Sequence, residues 1–527
     1  MIHLFTVYGG IPFIISTILF VPYTLLLNLK FPLFFILFGL AQRRKLKRFL
    51  PPAWFVAGFL ALFLDYFTPQ VFPWFWGNLL AGQNAVAQIA EITGVYGLSF
   101  LLFSISYVLY RIFFRSLFTP FRAKRKKSVW FHKRALRFFV LKRIFPVPVL
   151  LIFLYIFGFI RIFMIDSLQK QMPHVKVAVL QPNTPLDQPG GDSSKKLNSA
   201  DIKQIIEVKI PELARKAYLA GGPFDLIVLP EAGIPGVSTQ DNLYTRRTKI
   251  YSEDLVQMVK RLTYEYNAEL ILNELGLEVK PGPFGLRAHV YNASSVHARD
   301  GQMKDRYYKK VLIAFGEYIP GVEFLEATGI INLVPALSGL SPFSRGDHQR
   351  SMPFMIHKDK TEKRALPENL NEAFLHESFT PSGTFIPSIC YEILYPEHNR
   401  EFFLYDDPGF IVNMTQDGWY GKTIETYEHF ELGRMRSIEL RRPIVRSTNS
   451  GSSGYVDAAG RYTDAIAGPK FSPQEEESFQ VFSVPVMSGI KTVYMYIGNS
   501  WMILIALLFL GHLVHRVIKV KGFLKNK

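Results

Sequence analysis

The chain has 527 residues, of which 49% are hydrophobic and 15% aromatic, and its formal net charge at pH 7 is +17. This much apolar and aromatic sequence excludes an ordinary soluble protein. The charge is also uneven, because residues 1–172 carry 20 Lys and Arg against three acidic residues, and residues 491–527 carry six against none. Residues 173–490 carry 34 basic and 40 acidic residues. The basic character therefore belongs to the two ends and does not indicate a nucleic-acid surface.

Both ends contain apolar runs that are long enough to cross a bilayer, which takes about 20 residues of helix. The predicted spans are about 8–28, 53–67 with its aromatic flank, 93–113, 147–165 and 494–514. The stretch from Phe31 to Ala41 is too short to cross alone, and we expect a tilted or re-entrant segment there. The sequence thus predicts an integral, multi-pass membrane protein.

Three basic clusters, at residues 43–48, 111–143 and 516–527, predict the orientation, because Lys and Arg are retained on the cytoplasmic side. The middle of the chain is then placed outside the cytoplasmic membrane. We expect an N-terminal membrane domain (1–172), an extracytoplasmic catalytic domain (173–490), and a C-terminal transmembrane helix with a basic tail (491–527). The predicted location is the inner membrane of a bacterium, with the catalytic domain on the periplasmic side.

The middle domain has short strands that alternate with amphipathic helices, which predicts an α/β fold. Helices are expected near 199–220, 252–266 and 423–440, and Asp300-Gly301 and Ala459-Gly460 are turn signals. The predicted strands are 175–181, 225–229, 269–273, 291–297, 384–390, 410–413 and 444–448. Several are apolar throughout, as in a sheet that is covered on both faces.

Several chemically useful side chains lie at the ends of predicted apolar segments. Cys390, the only cysteine in the chain, ends one strand, and Glu231 follows another just past a proline. Lys309 and Lys310 precede an apolar run that ends at Glu317. Each has a simpler interpretation, since a lone cysteine is often a small buried hydrophobe, a loop glutamate is often solvated, and paired lysines usually lie on the surface.

A carboxylate, an ammonium and a thiol together form a chemically complete set. The carboxylate takes the thiol proton, the thiolate attacks a carbonyl carbon, and the ammonium with a backbone N–H stabilises the oxyanion. The product of the first step is a thioester on the enzyme. The twelve histidines show no metal-binding spacing, and we expect no metal and no cofactor.

The order and spacing of these segments resemble the Glu-Lys-Cys triad of the nitrilase superfamily, also called carbon-nitrogen hydrolases. With flanking membrane spans, the resemblance narrows to the apolipoprotein N-acyltransferases. Further matching segments are 179–183, 413–421, 429–439 and 442–451. The resemblance implies a nitrilase-like αββα sandwich, inserted between N-terminal transmembrane helices and one C-terminal transmembrane helix.

The resemblance also implies roles for individual residues. Glu231 is expected to be the general base, Lys309 the cation that stabilises the oxyanion, and Cys390 the nucleophile. Four supporting residues are implied as well: Glu317 and Glu392 as positioning carboxylates, Tyr391 as a backbone N–H donor to the oxyanion, and Trp419 as part of the acyl pocket. Four positions depart from the family pattern, which usually has Pro, Asn, Ala and Asn there: Ala314, Gln416, Gly418 and Ser450.

The implied reaction transfers an acyl chain from a membrane phospholipid, typically phosphatidylethanolamine, through a thioester to the N-terminal α-amine of a diacylglyceryl-cysteine lipoprotein. Residues 320–343 are unusually apolar, and we expect either a lid that admits acyl chains or ordinary core packing. A membrane-anchored amidase or nitrilase with the same triad is the main alternative function. A non-catalytic scaffold is the other, and the intact triad argues against it.

Overall fold

The computed structural model describes residues 2, 6, 12–70, 72–118, 146–186, 197–282, 285–314, 316–318, 343–356, 363, 364, 366 and 381–525. The chain divides into two compact units. We call one the sandwich unit, which comprises Met1–Tyr23, Leu168–Ser437 and Arg441–Ile490. The other is the helical unit, which comprises Thr24–Ser167, Ile438–Leu440 and Lys491–Lys527.

The helices follow one another in chain order. They are α1 (Phe13–Leu27), α2 (Lys30–Ala41), α3 (Arg44–Lys47), α4 (Ala53–Phe67), α5 (Asn84–Ala87), α6 (Ala90–Phe118), α7 (Pro146–Gln171), α8 (Ser199–Gln204), α9 (Ile210–Gly221), α10 (Leu243–Arg247), α11 (Glu253–Tyr266), α12 (Pro396–Glu401), α13 (Glu425–Leu440), α14 (Val493–Ile497) and α15 (Trp501–Lys525). Single turns of 3-10 helix lie at Trp76–Leu80, Cys390–Leu394, Phe402–Leu404 and Gly418–Tyr420, and a π turn at Ile205–Lys209 joins α8 to α9.

Among the described residues, four stretches are long and apolar enough to cross a membrane. They are Phe13–Ala41, Ala90–Phe113, Val147–Gln171 and Trp501–Lys519, and α4 is apolar but shorter. The prediction of a multi-pass membrane protein is thus supported, with two corrections. First, α2 follows α1 so closely that residues 31–41 belong to one 29-residue apolar stretch. Second, Gly498 ends the short helix α14 with a φ of +52°, so the last span begins at Trp501 rather than near residue 494.

The helical unit buries an ion pair between Lys30 and Asp65 among apolar side chains. The Lys30 ammonium lies 2.9 Å from the Asp65 carboxylate, and both side chains are almost fully buried. The other Asp65 oxygen accepts hydrogen bonds from the Trp76 backbone N–H and the Ser99 hydroxyl. Because a buried charge is costly unless it is paired and hydrogen-bonded, this network explains how two ionisable residues can lie within apolar helices.

The described residues of the sandwich unit form two six-stranded sheets. The strands are β1 (His174–Gln181), β2 (Leu226–Val228), β3 (Glu269–Gly282), β4 (Gly285–His297), β5 (Met303–Tyr308), β6 (Met352–Phe354), β7 (Gly383–Ile389), β8 (Phe410–Thr415), β9 (Ile444–Thr448), β10 (Gly454–Val456), β11 (Tyr462–Thr463) and β12 (Ser478–Pro485). Their orders are β12-β1-β2-β3-β4-β5 and β11-β10-β9-β8-β7-β6. The Ser294 hydroxyl of β4 lies 3.6 Å from the Met414 sulfur of β8, so the two sheets face each other.

Apolar side chains explain how the helices cover the first sheet. Residues of α9 and α11, including Ile210, Leu213 and Leu262, pack against Ile227 and Leu270 in one buried core. The predicted nitrilase-like αββα fold is confirmed. All seven predicted strands and all three predicted helical stretches are present, with ends shifted by a few residues apart from β3 and β4, which are longer than predicted.

Two stretches of earlier interest lie outside the described residues. One is the central part of the second basic cluster, since residues 119–145 are not described. The other is the possible lid, since residues 319–342 are not described. The lid and the division of the chain into domains 1–172, 173–490 and 491–527 stay predictions.

Candidate active site

Cys390 lies at a sharp turn between β7 and the 3-10 turn that begins with it. Its φ is +54°, in the left-handed region that residues other than glycine rarely adopt. The Asn413 side chain holds this turn by donating from Nδ2 to the carbonyl oxygens of Cys390 (2.9 Å) and Ser388 (3.1 Å). Strained backbone of this kind is found at active sites, where it presents a nucleophile to a pocket.

Lys309 follows β5 directly, and its ammonium lies between two carboxylates. Its Nζ is 2.8 Å from Glu317 Oε1 and 3.1 Å from Glu231 Oε1. The lysine side chain is only 1% exposed, so this charge is removed from water and neutralised by the two carboxylates. The structure therefore brings together Glu231, Lys309 and Glu317 as a hydrogen-bonded group.

Asn292 of β4 joins the same two carboxylates from the other side. Its Nδ2 donates to Glu231 Oε1 at 2.8 Å and to Glu317 Oε1 at 2.9 Å. Asn273 of β3 donates in turn to Asn292 Oδ1. We did not predict either asparagine as part of the site. The signal that could have found them is an amide side chain within a predicted buried strand, since such a group needs a partner.

The charges around Cys390 show how a proton could move between these groups. Burial raises the pKa of the Glu231 carboxyl, and Lys309 only partly opposes this. Burial alone would lower the pKa of Lys309, but Glu231 and Glu317 raise it well above its ordinary value. Burial and the Glu231 charge raise the pKa of the Cys390 thiol, and Lys309 opposes them. The site thus holds a neutral thiol, a permanent cation and a carboxyl that binds protons readily.

Glu392 fixes the backbone on both sides of the nucleophile. Its Oε2 accepts the Ile389 backbone N–H at 2.9 Å, and its Oε1 accepts the N–H groups of Lys310 (2.8 Å) and Val311 (3.0 Å). The Tyr307 hydroxyl donates to the same oxygen. Burial raises the pKa of this carboxyl to about 7, although the backbone N–H groups oppose the shift. The structure thus connects Glu392 to the backbone before Cys390 and after Lys309, and not to the ammonium itself.

Tyr391 and Trp419 lie in the two 3-10 turns of this region. The Tyr391 hydroxyl donates to the Leu312 carbonyl oxygen, and its ring centre is 5.8 Å from the Lys309 ammonium. Trp419 is half-buried just after Asp417. Its role in an acyl pocket and the role of the Tyr391 N–H stay predictions.

Asp417 anchors a second buried network next to the site. It accepts hydrogen bonds from Arg446 Nη2 (2.7 Å) and the Thr426 hydroxyl (2.7 Å), and it lies 3.1 Å from His429 Nδ1. Burial alone would raise the pKa of Asp417, but Arg446 and His429 hold it well below its ordinary value. Arg446 Nη1 also donates to Asn413 Oδ1, and Asn413 holds Cys390. The network therefore supports the turn that carries the thiol.

Comparison with known proteins shows the family to which the chain belongs. Residues 176–503 match the carbon-nitrogen hydrolase family, and residues 1–108 match the apolipoprotein N-acyltransferase N-terminal domain. Apolipoprotein N-acyltransferase 2 of Leptospira interrogans is 34% identical over 526 residues, which cover 96% of this chain and 83% of the relative. The chain belongs to the apolipoprotein N-acyltransferases.

Apolipoprotein N-acyltransferase 1 of the same species is 29% identical over 516 residues, covering 95% of this chain and 83% of the relative. Among solved structures, an amidase from Nesterenkonia sp. is 13% identical, with a TM-score of 0.37, and the match covers 63% of this chain and 97% of the amidase. The predicted family is confirmed. The roles of Glu231, Lys309 and Cys390 within this N-acyltransferase stay predictions.

Proposed function

We propose that this chain transfers an acyl chain from a membrane phospholipid to the N-terminal α-amine of diacylglyceryl-cysteine lipoproteins, through a thioester on Cys390. The observation that carries the proposal is the buried Lys309 ammonium, held between Glu231 and Glu317. Its charge acts on the Cys390 thiol, which makes it a preorganised group for stabilising an oxyanion.

In the first half-reaction, Glu231 takes the proton from the Cys390 thiol, and the sulfur attacks the ester carbonyl carbon. The carbonyl electrons move to oxygen, where the Lys309 ammonium and the Tyr391 N–H stabilise the negative charge. When the tetrahedral intermediate collapses, the C–O ester bond breaks. The departing alkoxide takes the proton from Glu231, and a lysophospholipid leaves.

In the second half-reaction, the α-amine of the acceptor attacks the thioester carbonyl. Glu231 takes a proton from the amine nitrogen as the new C–N bond forms, and Lys309 again stabilises the oxyanion. Collapse breaks the C–S bond, and the thiolate receives the proton from Glu231. A carboxyl with a raised pKa suits both halves, because it has to accept and return a proton in each.

Both substrates are lipids, which explains the membrane spans. Each buried CH₂ contributes about 0.8 kcal/mol to keeping an acyl chain in the bilayer, so the enzyme has to work at the membrane surface. We place the catalytic domain on the periplasmic side of the inner membrane, on the basis of the basic clusters. Phosphatidylethanolamine is the proposed donor, and Trp419 is proposed to line the acyl pocket.

The test uses purified protein in detergent with phosphatidylethanolamine and a synthetic diacylated lipopeptide. Mass spectrometry of the lipopeptide should show one added acyl chain in amide linkage, together with lysophospholipid. Release of free fatty acid without amide formation would support the amidase alternative and contradict the proposal.

A further inference from the structure

Three of the positions that depart from the family pattern meet at one point in the structure. The Gln416 side-chain oxygen accepts hydrogen bonds from the Gly418 backbone N–H (3.0 Å) and from the Ser450 hydroxyl (2.9 Å). Gln416 and Ser450 are 34 positions apart in the sequence. A longer amide at 416 and a shorter side chain at 450 therefore fit each other.

Gly418 is needed for this arrangement. A Cβ atom at this position would lie 2.6 Å from the Ser450 hydroxyl and 3.1 Å from the Gln416 oxygen. The usual alanine would therefore displace one of the two side chains. The three departures form a single unit, which we call the 416 cluster (Gln416, Gly418 and Ser450).

The 416 cluster fixes the direction of the Gln416 amide. A backbone N–H can only donate, so the amide oxygen has to face Gly418 and the Nε2 group has to face away from it. Gln416 is 2% exposed, and its Nε2 has no hydrogen-bond partner within the described part of the chain. A buried donor without a partner is uncommon in folded proteins and calls for an explanation.

The cluster also touches the proposed base. The Gln416 backbone N–H donates to Glu231 Oε2 at 3.1 Å, so the residue that carries the unpartnered amide is bonded to the group that would move the proton. A ligand at this place has to offer a lone pair to Nε2. An ester oxygen does so, whereas the attacking amine uses its lone pair on the thioester carbon and offers only N–H groups to its surroundings.

We infer that Gln416 Nε2 donates a hydrogen bond to an ester oxygen of the phospholipid donor, next to the bond that breaks during acylation of Cys390. This inference rests on the proposed function and adds a substrate-binding residue to it. The diacylglyceryl acceptor also contains ester oxygens, so the two half-reactions have to be measured separately.

The experiment compares wild type with Gln416→Met, which keeps the side-chain length and removes the amide. Rapid-quench mass spectrometry follows acylation of Cys390 by phosphatidylethanolamine in detergent, and then loss of the acyl group to a diacylated lipopeptide. One hydrogen bond corresponds to roughly a tenfold rate change. We expect Gln416→Met to acylate about tenfold more slowly and to transfer the acyl group at the wild-type rate.

One further variant repeats the test at position 416, and another serves as a control. Gln416→Leu also removes the amide donor and adds no charge beside Glu231, so it should slow acylation in the same way. Gln302→Met, at an exposed turn of the same unit, should have no effect. The melting temperature of each variant shows whether it is folded.

The outcomes separate this inference from the proposed function. A wild-type protein that forms no acyl-Cys390 would overturn the proposed function. An active wild type together with folded Gln416 variants that acylate at the normal rate would overturn only the role of Gln416. Equal slowing of both half-reactions would also overturn it, because that pattern indicates a structural role.

Discussion

The Lys309 ammonium is closer to Glu317 than to Glu231: its Nζ lies 2.8 Å from the first carboxylate and 3.1 Å from the second. Glu317 therefore competes with the proposed base for the same cation. The negative charge of Glu317 also helps to raise the pKa of Glu231. The supporting carboxylate thus makes Glu231 a stronger proton acceptor.

We expect Glu317→Gln to weaken the base, because removing this charge lowers the pKa of Glu231. The acyl transfer rate should fall by about tenfold, which is less than the roughly 10²–10⁴-fold that general acid–base catalysis contributes, because the base is weakened and not removed. The acidic limb of the pH–rate profile should move to lower pH. Glu207→Gln, at an exposed position, is the control. An unchanged rate and profile in Glu317→Gln would show that Glu317 does not act on the base.

Glu392 should not tolerate replacement by glutamine, which has nearly the same shape. Both of its carboxylate oxygens accept hydrogen bonds from backbone N–H groups. In Glu392→Gln the amide NH₂ group would face at least one N–H that now donates to the carboxylate. An unsatisfied buried group costs about 1–3 kcal/mol. We expect a lower melting temperature and slower acyl transfer, whereas the exposed Glu397→Gln on α12 should change neither. Equal behaviour of the two variants in thermal unfolding would contradict this role.

The stability of the protein should depend on the titration of Glu425. Burial and the neighbouring Asp417 raise the pKa of this carboxyl to about 9, although Arg446 opposes the shift. A glutamate in the unfolded chain has a pKa of about 4.3. Between these values the folded state keeps a proton that the unfolded state has lost, so the contribution of Glu425 to stability is greatest at low pH and falls as the pH rises.

Glu425→Gln removes this titration. Its melting temperature should therefore rise relative to that of wild type as the pH increases from 5 to 9 (roughly the window between the two ionisations). Thermal unfolding in detergent at several pH values measures the difference, with the exposed Glu207→Gln as the control. Parallel curves for Glu425→Gln and wild type would contradict the raised pKa.

The sequence predicted the elements of the sandwich unit well, because their apolar runs are long enough to show a period. The strands β5 and β12 were not among the seven predicted strands. The short strands β6, β10 and β11 were not predicted either. They have two or three residues each, and their pairing partners rather than their composition make them strands. Tertiary pairing of this kind leaves little local signal.

Only part of the candidate site could be predicted from the sequence. Glu231 follows a predicted strand, Cys390 ends another, and Lys309 precedes an apolar run. All three match a family pattern, so each could be named from the sequence. Asn292 could not, because an amide in a strand gives no indication of which carboxylates it will meet. The hydrogen bond between Ser450 and Gln416 could not be predicted either, because the two residues follow different strands, β9 and β8.

Detection of an acyl group on Cys390 itself is the decisive experiment for the thioester mechanism. Purified protein is mixed with phosphatidylethanolamine without an acceptor, digested, and examined by mass spectrometry. The Cys390 peptide should carry an acyl adduct that hydroxylamine removes and that disappears when a diacylated lipopeptide is added. Cys390→Ala should form neither the adduct nor the N-acylated product. N-acylated lipopeptide made by Cys390→Ala would show that the reaction does not pass through a Cys390 thioester.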